Sequence, residues 1–143
     1  MGNYSISQVS LKLGVSKDTL RYYEKLGLIT PERRESGYRT YSDSDVLDVM
    51  YIQVLKYAGF TLSDIKAIQA NRKNTFQGEE CTKSTMDMLR NKRDQTEQRI
   101  ERLGRIIDLL DTSIGVLSGK TGNDASQVHE LVQQIFREMT TDN

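Results

Sequence analysis

The side chains with the most chemistry to offer are cationic and phenolic, and they gather near the N-terminus. Ser16, Lys17 and Thr19 lead into Arg21 and Tyr22, and Arg33, Arg34, Tyr38, Arg39 and Tyr41 follow. A guanidinium is a permanently charged fork that pairs bidentately with a phosphate or a guanine edge; hydroxyls and phenols bond phosphate oxygens. This set suits holding a polyanion, not turning over a substrate. No nucleophile–base pair can be assembled, so no enzyme is expected. Gly119-Lys120-Thr121 lacks the preceding glycine of a phosphate loop and follows a helical segment. The formal net charge is 0, from 20 basic and 20 acidic residues, but it is unevenly spread. Residues 1–41 carry seven basic and four acidic side chains; residues 119–143 carry two and four. A phosphate-facing surface needs local positive charge, whatever the total.

Sulfur and imidazole are scarce. Cys81 is the one cysteine and His129 the one histidine. No disulfide can close within the chain. A soft metal wants two or more thiolates or imidazoles, so no metal and no cofactor are expected. Cys81 stays open as a redox or effector thiol, against the plainer reading of a half-buried structural thiol. Glu79 and Glu80 beside it oppose any lowering of its pKa.

These groups need elements to position them. A single proline, Pro31, and few β-branched residues predict a mainly helical chain. Ser5-Ile6-Ser7-Gln8 is a capping box that opens a helix carrying Ile6, Val9 and Leu13, with Gly14 after its end. Ser16 caps a second helix through Leu20, Tyr23 and Leu26, which ends at Gly27. Two short helices joined by Gly14-Val15-Ser16 have helix-turn-helix spacing, which puts the start of the second helix in a major groove. Arg21 and Tyr22 lie on its exposed side, and Tyr23 shares the apolar stripe. Pro31 and Ser36-Gly37 then punctuate a short hairpin, a wing bearing Arg33, Arg34, Tyr38, Arg39 and Tyr41. Tyr41 either contacts a phosphate or packs beneath the wing. Ser42 to Asp45 opens a third helix with Val46, Val49, Met50 and Leu55 as its apolar face, and Thr61 to Asp64 caps a fourth.

Residues 73–81 read as a polar linker between a DNA-binding domain at 1–72 and a long helix at 82–118. In that helix Met86, Leu89, Arg93, Thr96, Ile100, Leu103, Ile107, Leu110, Ile114 and Leu117 step alternately by three and four, which is the a/d pattern of a coiled coil. About 36 residues make a helix on the order of 54 Å long. A narrow seam of that length needs a partner helix, and no second heptad segment exists in the chain. A homodimer is therefore expected, with Met86, Leu89, Ile100, Leu103, Ile107, Leu110, Ile114 and Leu117 at its interface. Residues 119–143 then form a loop and one short amphipathic helix, an effector or partner segment.

Three motifs carry a family resemblance: Thr19 to Pro31 (TLRYYEKLGLITP), Gly37 to Tyr41 (GYRTY), and Leu55 to Ile65 (LKYAGFTLSDI). In this order and spacing they resemble the MerR family of bacterial transcription regulators. The resemblance implies an N-terminal winged helix-turn-helix, a long antiparallel coiled-coil dimerisation helix and a C-terminal effector region. It further implies double-stranded promoter DNA as partner, with RNA polymerase on the same promoter, and activation by bending and untwisting the DNA. Lys56 matches a backbone-contacting position of the family. Arg21, Arg33, Arg39 and Lys56 from two subunits would neutralise about eight phosphates, which predicts a steep salt dependence. The cysteines that metal-sensing members carry after the dimer helix are missing. The alternatives are control by a partner protein through the C-terminal helix, or a coiled-coil adaptor without DNA binding. With no apolar run near 18 residues and no secretory leader pattern, a cytoplasmic location and no membrane partner are expected.

Overall fold

The computed structural model describes residues 2–72, 78–119, 122 and 124–141. The chain divides into two compact units, Met1–Met88 and Leu89–Asn143. The first contains α1 (Ile6–Leu13), α2 (Lys17–Lys25), β1 (Glu32–Arg33), β2 (Arg39–Thr40), α3 (Asp43–Tyr57), α4 (Leu62–Arg72) and the start of α5 (Glu79–Leu117). The second contains the rest of α5 and α6 (Ala125–Thr141).

The predicted caps of the first unit form. Ser5 and Gln8 close a reciprocal capping box, as do Ser42 and Asp45. Ser16 accepts from the Thr19 N–H at 3.1 Å, and Thr61 accepts from the Asp64 N–H at 3.1 Å. Each cap satisfies backbone donors that the first helical turn leaves without partners. Gly14 ends α1 at φ 66°, a left-handed conformation that costs a glycine nothing.

The core of this unit joins α1 to α4. Val9, Leu20, Tyr23, Ile29, Tyr41, Val49, Ile52 and Ile65 are fully buried together. Met50, expected on the apolar face of α3, is exposed; Ile52 occupies the core instead. Leu47, Met50, Val54 and Tyr57 form a second, outward stripe on α3. The α3–α4 pair carries a salt bridge between Arg72 and the buried Asp48, and the Arg72 guanidinium lies 4.7 Å from the Tyr51 ring centroid. Asn71 ties the end of α4 to α5 by donating to Thr85 Oγ1 at 3.0 Å.

The wing is small. β1 and β2 pair antiparallel, with Glu32 opposite Thr40 and Arg33 opposite Arg39. Its turn needs a glycine: Gly37 sits at φ 82° and donates to the Arg34 carbonyl at 2.8 Å. Beyond the wing, Tyr41 forms an isolated antiparallel bridge to Tyr4, with both backbone bonds at 2.8 Å.

α5 begins at Glu79, so Glu79, Glu80 and Cys81 belong to the helix and not to the expected linker; residues 73–77 lie outside the described residues. In the second unit α6 contacts α5 through side chains. Asp124 caps α6 by accepting from the Ser126 and Gln127 N–H groups at 2.9 and 3.2 Å. The Ser126 hydroxyl and these amides hold the Asp124 carboxyl below its usual range. Arg105 of α5 pairs with Glu138 of α6, and Ile135 is buried.

Candidate nucleic-acid interface

The exposed face of α2 presents Lys17, Arg21 and Tyr22. Ser16 is occupied by capping, and its hydroxyl shares a 2.8 Å hydrogen bond with Thr19 Oγ1. Arg21 holds Asp18 at 3.0 Å across one helical turn, with both side chains largely in solvent. Such exposed pairs contribute about 0–1 kcal/mol, so the guanidinium exchanges partners cheaply. Tyr23 is buried, and its hydroxyl accepts from Gln53 at 2.9 Å and Lys56 at 3.4 Å. Lys56, expected to face a DNA backbone, therefore has its ammonium on Tyr23, 5.8 Å from the ring centroid.

The wing is pinned to α2 by one carboxylate. Glu24 Oε1 accepts from Arg33 at 3.4 Å, and Glu24 Oε2 accepts from Arg39 Nε. Arg34 instead donates to Thr40 Oγ1 at 3.1 Å, and Tyr38 stands exposed at the tip. Of the two roles open for Tyr41, the structure takes packing beneath the wing and removes it from the contact residues: its relative exposure is 0%, with the backbone bridge to Tyr4 beside it. Burial first, and then the nearby Glu24 carboxylate, push its phenol above the usual tyrosine range. Sequence reasoning missed Glu24 as a site residue; its place one turn after Leu20 on the stripe side was the available signal.

Between the start of α1 and the wing lies a cleft of about 720 Å³ lined by Ser5, Gln8, Arg21, Arg34, Tyr38 and Arg39. It combines three guanidiniums with hydroxyl and amide groups, which is chemistry suited to a phosphate or sugar. The α1 contribution had no motif to announce it.

Cys81 is exposed in the first turn of α5, which corrects the reading of a half-buried thiol. Among the described residues no group of three or more His, Cys, Asp or Glu side chains could hold a metal ion. The heptad positions Met86, Leu89, Ile100, Leu103, Ile107, Leu110, Ile114 and Leu117 are all exposed, Met86 at 44% and Leu117 at 88%.

Comparison with known proteins fits this architecture. Residues 4–72 match the MerR HTH family regulatory protein, and residues 46–112 match the family described as MerR, DNA binding. An HTH-type transcriptional regulator of Haemophilus influenzae is 31% identical over 109 residues, 76% of this chain and 78% of the relative. The chain belongs to the MerR family. The mercuric resistance operon regulatory protein of Bacillus cereus is 48% identical over 63 residues, 43% of this chain and 48% of the relative. The chain thus spans about half the length of several curated relatives it matches. HiNmlR, described as a MerR family regulator lacking the sensor domain and bound to promoter DNA, is similar at a TM-score of 0.62 and 31% identity, covering 77% of this chain and 82% of that one. MerR regulators are DNA-binding proteins of transcription, not enzymes. Among the described residues no helix is long and apolar enough to cross a membrane.

Proposed function

We propose that the chain acts as a homodimer that binds promoter DNA in a sequence-specific way and distorts it in response to a signal, with RNA polymerase working from the same promoter. The observation that carries this reading is the conjunction of two surfaces. A cationic helix-turn-helix with its wing is followed by a helix whose eight apolar seam residues are all exposed. A seam of that kind is covered by the same helix of a second copy, in the antiparallel sense typical of the family. The likeness to HiNmlR, itself bound to promoter DNA, supports the same assignment.

On this reading Lys17, Thr19, Arg21 and Tyr22 face the major groove. Arg33, Arg34, Tyr38 and Arg39 follow the backbone, and Ser16 orders the start of α2. A footprint of the purified protein on its own upstream DNA, with and without Arg21→Ala, tests it. The expected result is a protected palindrome that disappears in the variant. No protection at low salt by a folded dimer would overturn the reading in favour of a coiled-coil adaptor.

A second reading concerns the signal. Val132, Phe136 and Met139 are exposed on α6, which favours control through a partner protein seated there. Alkylating the exposed Cys81 separates the two routes: a change in DNA affinity supports thiol sensing, and an unchanged affinity favours the partner.

A further inference from the structure

Glu24 stands out because it has two cationic partners on different strands. Each of its oxygens serves one of them, Oε1 for Arg33 of β1 and Oε2 for Arg39 of β2. Its side chain is 20% exposed, that of Arg39 28%, and that of Arg33 58%. The hairpin it grips has two residues in each strand. A lone two-stranded hairpin is marginal in water even when longer than this. The wing therefore takes its position from outside itself. The Tyr4–Tyr41 bridge holds it where the chain leaves, and Glu24 holds its cationic face to α2.

We infer that Glu24 is a positioning residue for DNA binding: it locks the wing to α2 so that the two present their cations to one duplex as a single rigid piece. The opposite possibility is that Glu24 hides the two guanidiniums and weakens binding. Geometry favours positioning. Arg33 is more than half exposed, so its guanidinium can bond a phosphate while it stays beside Glu24. A carboxylate bridging two guanidiniums leaves several of their N–H donors unused. A wing fixed in advance also avoids the ordering cost of binding with a loose hairpin.

This inference rests on the DNA-binding reading above, and its test keeps the two apart. Wild type, Glu24→Gln, Glu24→Asp and Arg39→Ala are titrated with the footprinted duplex over a series of salt concentrations. Far-UV circular dichroism reports that each variant is folded. Glu24→Gln keeps the shape and removes the charge. It is expected to bind on the order of tenfold more weakly at low salt, with a slope of log affinity against log salt shallower by about 0.9 for each phosphate that the wing no longer reaches. Combined with Arg39→Ala it should weaken little further, because both act on the same phosphates. Glu24→Asp should fall between wild type and Glu24→Gln. Tighter binding with a steeper slope would overturn the inference and make Glu24 a brake. An unchanged slope with a lowered melting temperature would overturn it as well and leave a purely structural residue. Hydrogen exchange on the free protein needs no DNA. Faster exchange of the Arg34 amide and the β1–β2 amides in Glu24→Gln supports the anchoring, and unchanged exchange refutes it, whatever the wild type does with the duplex.

Discussion

The first unit closes a core of fully buried apolar side chains and leaves one outward stripe on α3, whereas the α5–α6 unit shows most of its apolar side chains. In the first, Val9, Leu20, Tyr23, Ile52 and Ile65 close against one another across four helices. In the second, Ile135 is the one buried large aliphatic side chain among the described residues, while Ile100, Ile107 and Ile114 are each more than half exposed. Composition does not separate them, since both draw on leucine, isoleucine and valine. Connectivity does. Short helices with glycine turns fold back on themselves within about 70 residues. A 39-residue helix outruns what one 17-residue helix can cover. The apolar surface left over is what the second copy of the proposed dimer would cover.

The largest effect should come from opening the closed core. Leu20→Ala removes a fully buried side chain and should cost about 2–5 kcal/mol, read as a lowered denaturation midpoint of the first unit with loss of DNA binding. Leu103→Glu with Ile107→Glu should do the reverse. It should leave the thermal transition of the first unit in place but weaken the proposed self-association on the order of 100-fold or more, since both copies of the proposed dimer would then carry carboxylates in place of apolar side chains. Analytical ultracentrifugation measures it. If both variants behaved alike, the distinction between the two regions would fail.

Smaller changes sharpen it. Gly104 lies inside α5 beside the seam, with helical backbone and open space where a Cβ would stand. Gly104→Ala should stabilise the helix by about 0.5–1 kcal/mol, seen as a raised midpoint by circular dichroism. A loss of dimer in that variant would place the partner helix close against this position. The smallest effect concerns acid. Asp43 accepts from the Gly2 N–H at 2.7 Å and from the Tyr4 hydroxyl at 3.1 Å. These bonds, the backbone one foremost, hold its carboxyl below the usual range. A depressed folded pKa contributes stability above the unfolded value near 3.9, and that stability drains away as pH falls through the folded value. Asp43→Asn should flatten this part of the acid titration of the first unit and leave the second unit unaffected.

Local signals made most of the fold readable. Ser5, Ser16, Ser42 and Thr61 announce helix starts because capping is an interaction over three residues. The exposed apolar stripe of α5 was readable because a heptad repeats. What escaped was what joins separate elements. Glu24 reaching both wing strands, Arg72 meeting Asp48, and the Tyr4 bridge that decides between the two roles of Tyr41 depend on tertiary juxtaposition, to which periodicity is blind. Met50 was misplaced for a related reason: α3 carries apolar residues on two faces, so the stripe alone did not say which one the core takes.

The boundary at Met88 also sets an order of events during synthesis. The helices of the first unit carry their own start signals and fold on local contacts, which small helical units complete in microseconds to milliseconds. The 55 residues from Leu89 to Asn143 take roughly 3–11 s to translate at about 5–20 residues per second. The N-terminal core can close before most of the exposed apolar stripe of α5 exists, which limits any contest between the two on the nascent chain.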